Sequence, residues 1–85
     1  MTKKPSIDST TYVHHTASII GDVTIGKHCG VFPQAVLRGD ENSIIIGNGS
    51  NIQDCCVIHV DERHGVEIAN NRSEERRVGK ECATG

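Results

Sequence analysis

The sequence predicts an all-β chain wound as a left-handed parallel β-helix of about three coils, and three observations predict it. Val13, Ile19, Ile25, Val31 and Leu37 recur every six residues, and Ile46, Ile52 and Ile58 resume the same step. A small residue stands four positions after most of these anchors: Ala17, Val23, Cys29, Ala35, Ser50 and Cys56. The two anchors that lack it, Leu37 (followed by Glu41) and Ile58 (followed by Glu62), are also the two places where the step breaks, to nine residues at Ile46 and ten at Ile68. Two independent signals failing together mark insertions into a regular coil.

A period of six fits neither one face of a helix nor a long alternating strand. It fits short strands separated by turns, three to a coil, with the aliphatic anchor inward and the small residue at the corner beside it. A β-sandwich is the competing reading, but its turns fall every eight to twelve residues and drift. The segment 1–11 precedes the repeat. The repeat itself runs over 12–71, with Gly21, Gly26, Gly47 and Gly49 at turns and loops expected after Leu37 and after Ile58. Stacking of coils supplies the stability of such an array, and about three coils is near its minimum.

From Arg72 to Gly85 the hexad pattern vanishes. This stretch has four basic and three acidic residues, with Val78 its one Val, Ile or Leu. One reading is a charged, solvated tail. A sharper one is that RSEERRVGKEC resembles the one-frame translation of a common sequencing-library adapter. That implies a tail, 72–85, of non-native origin, and such segments are set aside in fold reasoning. Genuine coding sequence across Arg72–Cys82 in the nucleotide read would defeat this expectation.

Composition narrows the function. The net charge of −2 gives no electrostatic case for nucleic acid or anionic lipid. Tyr12 and Phe32 are the only Phe, Tyr or Trp residues, so a base-stacking surface is not expected. No apolar run approaches a membrane span, and MTKKPSIDSTTY lacks the apolar core of a signal peptide, which makes the cytoplasm the expected compartment. Cys29, Cys55, Cys56 and Cys82 form no C-x-x-C pair and read as free thiols in that compartment.

Three polar clusters lie at or near the expected loops: RGDEN (Arg38–Asn42), NIQD (Asn51–Asp54) and IHVDE (Ile58–Glu62). Together with DVTIG (Asp22–Gly26) and AVLRGD (Ala35–Asp40), they resemble the gamma-class carbonic anhydrase family of hexapeptide-repeat proteins. The resemblance spans roughly Tyr12 to Asn71. AVLRGD, then NIQD, then a His five residues after the Asp is the specific combination.

The resemblance implies reversible metal-dependent hydration of carbon dioxide to bicarbonate, with zinc (or iron or cobalt) as cofactor, in a homotrimer acting on a small-molecule substrate. His59 matches the first of three metal-binding histidines. Arg38 and Asp40 match an Arg and an Asp at the subunit interface beside the site, and Asp54 matches an interface Asp. Asn51 and Gln53 match polar residues that order the metal-bound hydroxide, and Glu62 falls near the acidic proton-shuttle position. Glu41 falls where the archetypal enzymes have a Glu near the metal.

These residue types suit that chemistry. Three neutral imidazoles and an open fourth position let zinc lower the pKa of bound water toward about 7. An amide can both donate to and accept from a hydroxide, and a rim carboxylate can carry a proton away.

Plainer readings stand beside these. A lone His on a strand is usually not a ligand. Arg38, Asp40 and Asp54 could form a buried structural ion-pair network. His14, His15 and His28 fall in turn positions and are expected to be exposed, and the spacing of His64 does not match a ligand of the family. No residue of this chain matches the family's other two metal histidines, so the chain holds one ligand of three. It is expected to show no carbonic anhydrase activity and to bind no metal tightly. Two other functions use the same solenoid: a hexapeptide acyltransferase with a loop His as general base, and a non-catalytic trimeric scaffold or assembly subunit.

Overall fold

The computed structural model describes residues 3–74, all of them in strands, turns or irregular chain. Among the described residues nine strands run in order: β1 (Ser6–Ile7), β2 (Tyr12–Val13), β3 (Ser18–Ile25), β4 (Gly30–Val31), β5 (Val36–Ile46), β6 (Asn51–Ile52), β7 (Val57–His59), β8 (Val66–Ile68) and β9 (Ser73–Glu74). All pairings are parallel and non-consecutive, β2-β4-β6-β9 in one sheet and β1-β3-β5-β7, with β8 also on β5, in the other. This is a parallel β-helix of about three turns.

The coil length can be read from the register. Val13 lies beside Val31 and Ile19 beside Leu37, eighteen residues on, which is three hexads. The offset then grows. Gly21 pairs with Gly39, but Val23 pairs with Ile44, so three extra residues enter across Asp40–Ser43. Leu37 pairs with Ile58, twenty-one residues on, and Ile44 pairs with Val66, twenty-two on, so one further residue enters between His59 and Val66. Both insertions fall at the same place in successive coils. The first is not the loop expected after Leu37. It is a bulge inside the continuous strand β5, because the residues on either side stay paired to β3.

The anchors form vertical columns. Leu37 and Ile58 stand on Ile19, and Ile46 and Ile68 stand on Ile25, with Ile7 at the lower end. Leu37, Ile46, Ile52, Ile58 and Ile68 are buried, while Val13 and Ile19 are partly buried against that core. Val23, Ile44 and Val66 make a further inward column. The small residues fill corners as expected, with Cys29, Ala35, Ser50 and Cys56 buried.

Strand pairing extends beyond both boundaries read from the sequence, to Ser6–Ile7 in the segment before Tyr12 and to Ser73–Glu74 after Asn71. Glu74, half-buried, occupies the inward column beside Ile52, where an aliphatic residue would continue the repeat. The rest of the tail, 75–85, lies outside the described residues.

The corners are turns with hydrogen bonds between coils. His28, Gln34, Cys55, Gly49 and Asn71 all have φ between 56° and 72°, the left-handed conformation, each in a turn between strands. Pro33 precedes Gln34 in one such turn, closed by Ala35 N–H donating to the Phe32 carbonyl at 3.2 Å. The buried Ser50 hydroxyl donates to the Ala69 carbonyl at 2.6 Å and accepts from Arg72 N–H at 3.1 Å, which satisfies an otherwise costly buried polar group. Cys29 and Cys55 are free thiols. The expectation for Cys82 lies outside the described residues.

At one corner the backbones approach too closely for any side chain. A Cβ on Gly39 would stand 2.6 Å from the Asp22 carbonyl oxygen, and Gly21 faces Gly39 from the coil below with φ +81°. Gly39→Ala is therefore expected to lower stability by about 1–3 kcal/mol, read as a reduced urea midpoint with unchanged slope. An unchanged midpoint would show that the corner can spread without cost.

Candidate functional site

Side chains alternate across a strand, so the residues next to inward anchors face out. On the second face of the coil the outward neighbours of Ile19, Leu37 and Ile58 are Ile20, Arg38 and His59, and Arg38 is in register with both Ile20 and His59. All three are exposed. Asp40, on the same side of β5, receives Arg38 Nη2 at 3.3 Å on Oδ2. The Arg38 and Asp40 side chains are 52% and 40% exposed. The buried ion-pair network considered for Arg38, Asp40 and Asp54 is thus not what this chain forms: the pair is wet, and Asp54 is exposed in a turn. A pair exposed to that degree contributes at most about 1 kcal/mol.

Asn51 and Gln53 lie around a corner from His59. Asn51 faces out beside the inward Ile52 on the first face, in register with Gly30 and Ser73. Gln53 opens the turn Gln53–Cys56, closed by Cys56 N–H donating to the Gln53 carbonyl at 3.2 Å, and that turn separates β6 from β7. The Gln53 amide nitrogen donates to Ser73 Oγ at 3.2 Å, which leaves its amide oxygen to face another donor. Glu62 is exposed in the loop between β7 and β8. Among the described residues no three His, Cys, Asp or Glu side chains converge in a group that could hold a metal ion. His15 and His28 are exposed as expected, while His14 is half-buried.

Sequence reasoning missed an aromatic cluster on the first face. Tyr12 lies 6.0 Å from Phe32 between ring centroids, and a Cβ on Gly30 would meet Phe32 Cζ and Asn51 Oδ1, each at 3.0 Å. The absent side chain of Gly30 makes room for both. The signal was present, since Tyr12 and Gly30 are one coil apart and Phe32 is two residues on, on the same face. The stacked insertions also border an open groove of about 290 Å³ lined by Asn42, Ser43, Ile45, Gly65, Val66 and Glu67.

No family model matches the chain. Over 43 residues it is 65% identical to a protein described as a probable carbonic anhydrase of Methanocaldococcus jannaschii, a match covering 51% of this chain and 27% of that protein. Over 58 residues it is 48% identical to gamma carbonic anhydrase 2, mitochondrial, of Arabidopsis thaliana, covering 68% of this chain and 21% of the relative. The chain is a gamma carbonic anhydrase-like hexapeptide-repeat sequence. A solved hexapeptide transferase family protein from Anaplasma phagocytophilum superposes on this gamma carbonic anhydrase-like coil with a TM-score of 0.77 at 42% identity, covering 81% of this chain and 40% of the other. The chain spans only about a quarter of the length of the curated relatives it matches. No helix among its described residues is long and apolar enough to cross a membrane.

The loop after His59 is organised by one carboxylate. Asp61 Oδ1 accepts from Arg63 N–H at 2.9 Å, from His64 N–H at 2.8 Å, and lies 3.3 Å from His64 Nδ1. The Arg63 and His64 amides, in that order, hold the Asp61 carboxyl below its ordinary value. A depressed carboxylate pKa gives an interaction present above the ordinary value and lost as pH falls through the lowered one. The Arg63 and His64 amide resonances are therefore expected to titrate together on the acid side of an ordinary Asp. Amides that stay flat through that range would remove Asp61 as the organiser.

Proposed function

We propose that this chain supplies the first metal ligand, His59, of a gamma-class carbonic anhydrase-like centre for the reversible hydration of carbon dioxide. We further propose that the 85-residue chain alone is inactive. The observation that carries this is His59 on an outward face, in register with an Arg38 that is paired to Asp40. Zinc in a catalytic site takes three protein ligands, and the described residues bring no three together. By themselves they do not fit the metal.

The same reading assigns Arg38, Asp40 and Asp54 to a subunit interface beside the site, Asn51 and Gln53 to ordering solvent there, and Glu62 to carrying protons at the rim. The corner between Asn51 and His59 supports a site shared between chains, which makes a homotrimer the expected partner state. The metal would be zinc, iron or cobalt.

The test compares this chain with a gene product extended to the length of the relatives, by carbon dioxide hydration and by metal content after dialysis against a weak chelator. The extended protein is expected to hold metal and to turn over, and the 85-residue chain to do neither. Stoichiometric zinc retained by the short chain would overturn the reading. A second reading, a hexapeptide acyltransferase, is favoured by the likeness to the Anaplasma phagocytophilum protein. Acyl-CoA binding by the extended protein without hydration activity would select it. Metal and trimer without either activity would select a scaffold or assembly subunit.

A further inference from the structure

We propose that Asn48–Gly49 is a deamidation site that the pairing of adjacent coils holds closed. Asn48 is exposed at a corner, and Gly49 follows it with φ +72°. In an open chain an Asn followed by Gly is chemically labile, because no side chain on the following residue shields its nitrogen. That nitrogen attacks the Asn side-chain carbon, the bond to the amide nitrogen breaks, and ammonia leaves. Water then opens the resulting succinimide to an aspartyl or isoaspartyl residue, so the balance needs only water.

In the folded coil both reacting groups are tied to the same residue of the coil below. Lys27 N–H donates to Asn48 Oδ1 at 2.8 Å, and Gly49 N–H donates to the Lys27 carbonyl at 2.8 Å. The nitrogen that must attack is thus engaged away from the side chain, and the side chain is held over Gly26, where a Cβ would collide with Asn48 Oδ1. Cyclisation requires both hydrogen bonds to break and the side chain to swing back onto its own backbone. That amounts to a local opening of the coil, and exchange-type chemistry then reports how often the corner opens.

The next coil repeats the device with a different reactivity. Asn48 N–H donates to Asn70 Oδ1 at 2.8 Å, and Asn71 N–H donates to the Asn48 carbonyl at 2.8 Å. Asn70 is held as Asn48 is, but it is followed by Asn71, whose side chain slows attack. The pair is an internal comparison: equal protection when folded, unequal rates when open.

The experiment incubates the full chain in mildly alkaline buffer, with and without denaturing urea, and follows both peptides by mass spectrometry. In urea, Asn48–Gly49 is expected to convert faster than Asn70–Asn71. Without urea its conversion is expected to slow at least about tenfold, as for a site reached only through opening. Equal rates at Asn48 in both conditions would overturn the protection, and no conversion in urea would overturn the site.

Discussion

Replacing Leu37 with Ala is expected to bring the chain to the edge of unfolding at room temperature. Leu37 is 0% exposed and stands between Ile19 and Ile58 in the column that spans all three coils of the second face. Truncating a buried Leu costs about 2–5 kcal/mol, the transfer term plus the cavity left behind. A small domain has a net stability on the order of 5 kcal/mol, so one such cavity consumes most of it. The solenoid sharpens the effect, because each coil contacts only its neighbours and a failure in the middle coil separates the two ends. Ile20→Ala is the matched control: Ile20 is 47% exposed on the opposite side of the same strand as Ile19, and its loss is expected to stay near 0.5 kcal/mol or less. Thermal unfolding followed by far-ultraviolet circular dichroism checks both. A Leu37→Ala chain melting within a few degrees of the parent would mean that the column is not the core.

In the protein extended to the length of its relatives, His59→Ala is expected to lower carbon dioxide hydration at least about a hundredfold and to release the metal, since a ligand lost costs more than an outer-shell partner does. His64→Ala is the discriminating comparison. His64 lies in the next loop, with its amide and ring directed at Asp61, and its removal is expected to leave activity and metal content unchanged. Equal losses from the two substitutions would shift the candidate centre from the strand β7 to the loop after it.

The columns were legible because their cause is local. A buried position every six residues shows in any list of aliphatics, and Val31, Leu37, Ile46 and Ile52 took their predicted places. Features set by contacts between coils were harder to read. The close approach of Gly21 to Gly39 depends on a register that the sequence implies only once the coil length is known. The continuous strand across Asp40–Ser43 reads as a loop because its residues are polar, yet hydrogen bonding on either side keeps it extended.

Within the candidate site, the adjacency of Arg38 and His59 follows from counting one coil. The corner between Asn51 and His59 was hidden, because motif resemblance orders residues along the chain and not around it. Glu74 shows the converse: backbone pairing carries it into the inward column although its side chain does not suit that place.

The two insertions, at Asp40–Ser43 and in 60–65, share one azimuth of the coil. A chain can therefore grow at that edge without shifting any residue of the interior out of line, since each added residue lengthens a single circuit and the next circuit resumes in step. Length at that edge is thus uncoupled from the register of the interior, while the rest of each circuit is bound to its periodic pattern.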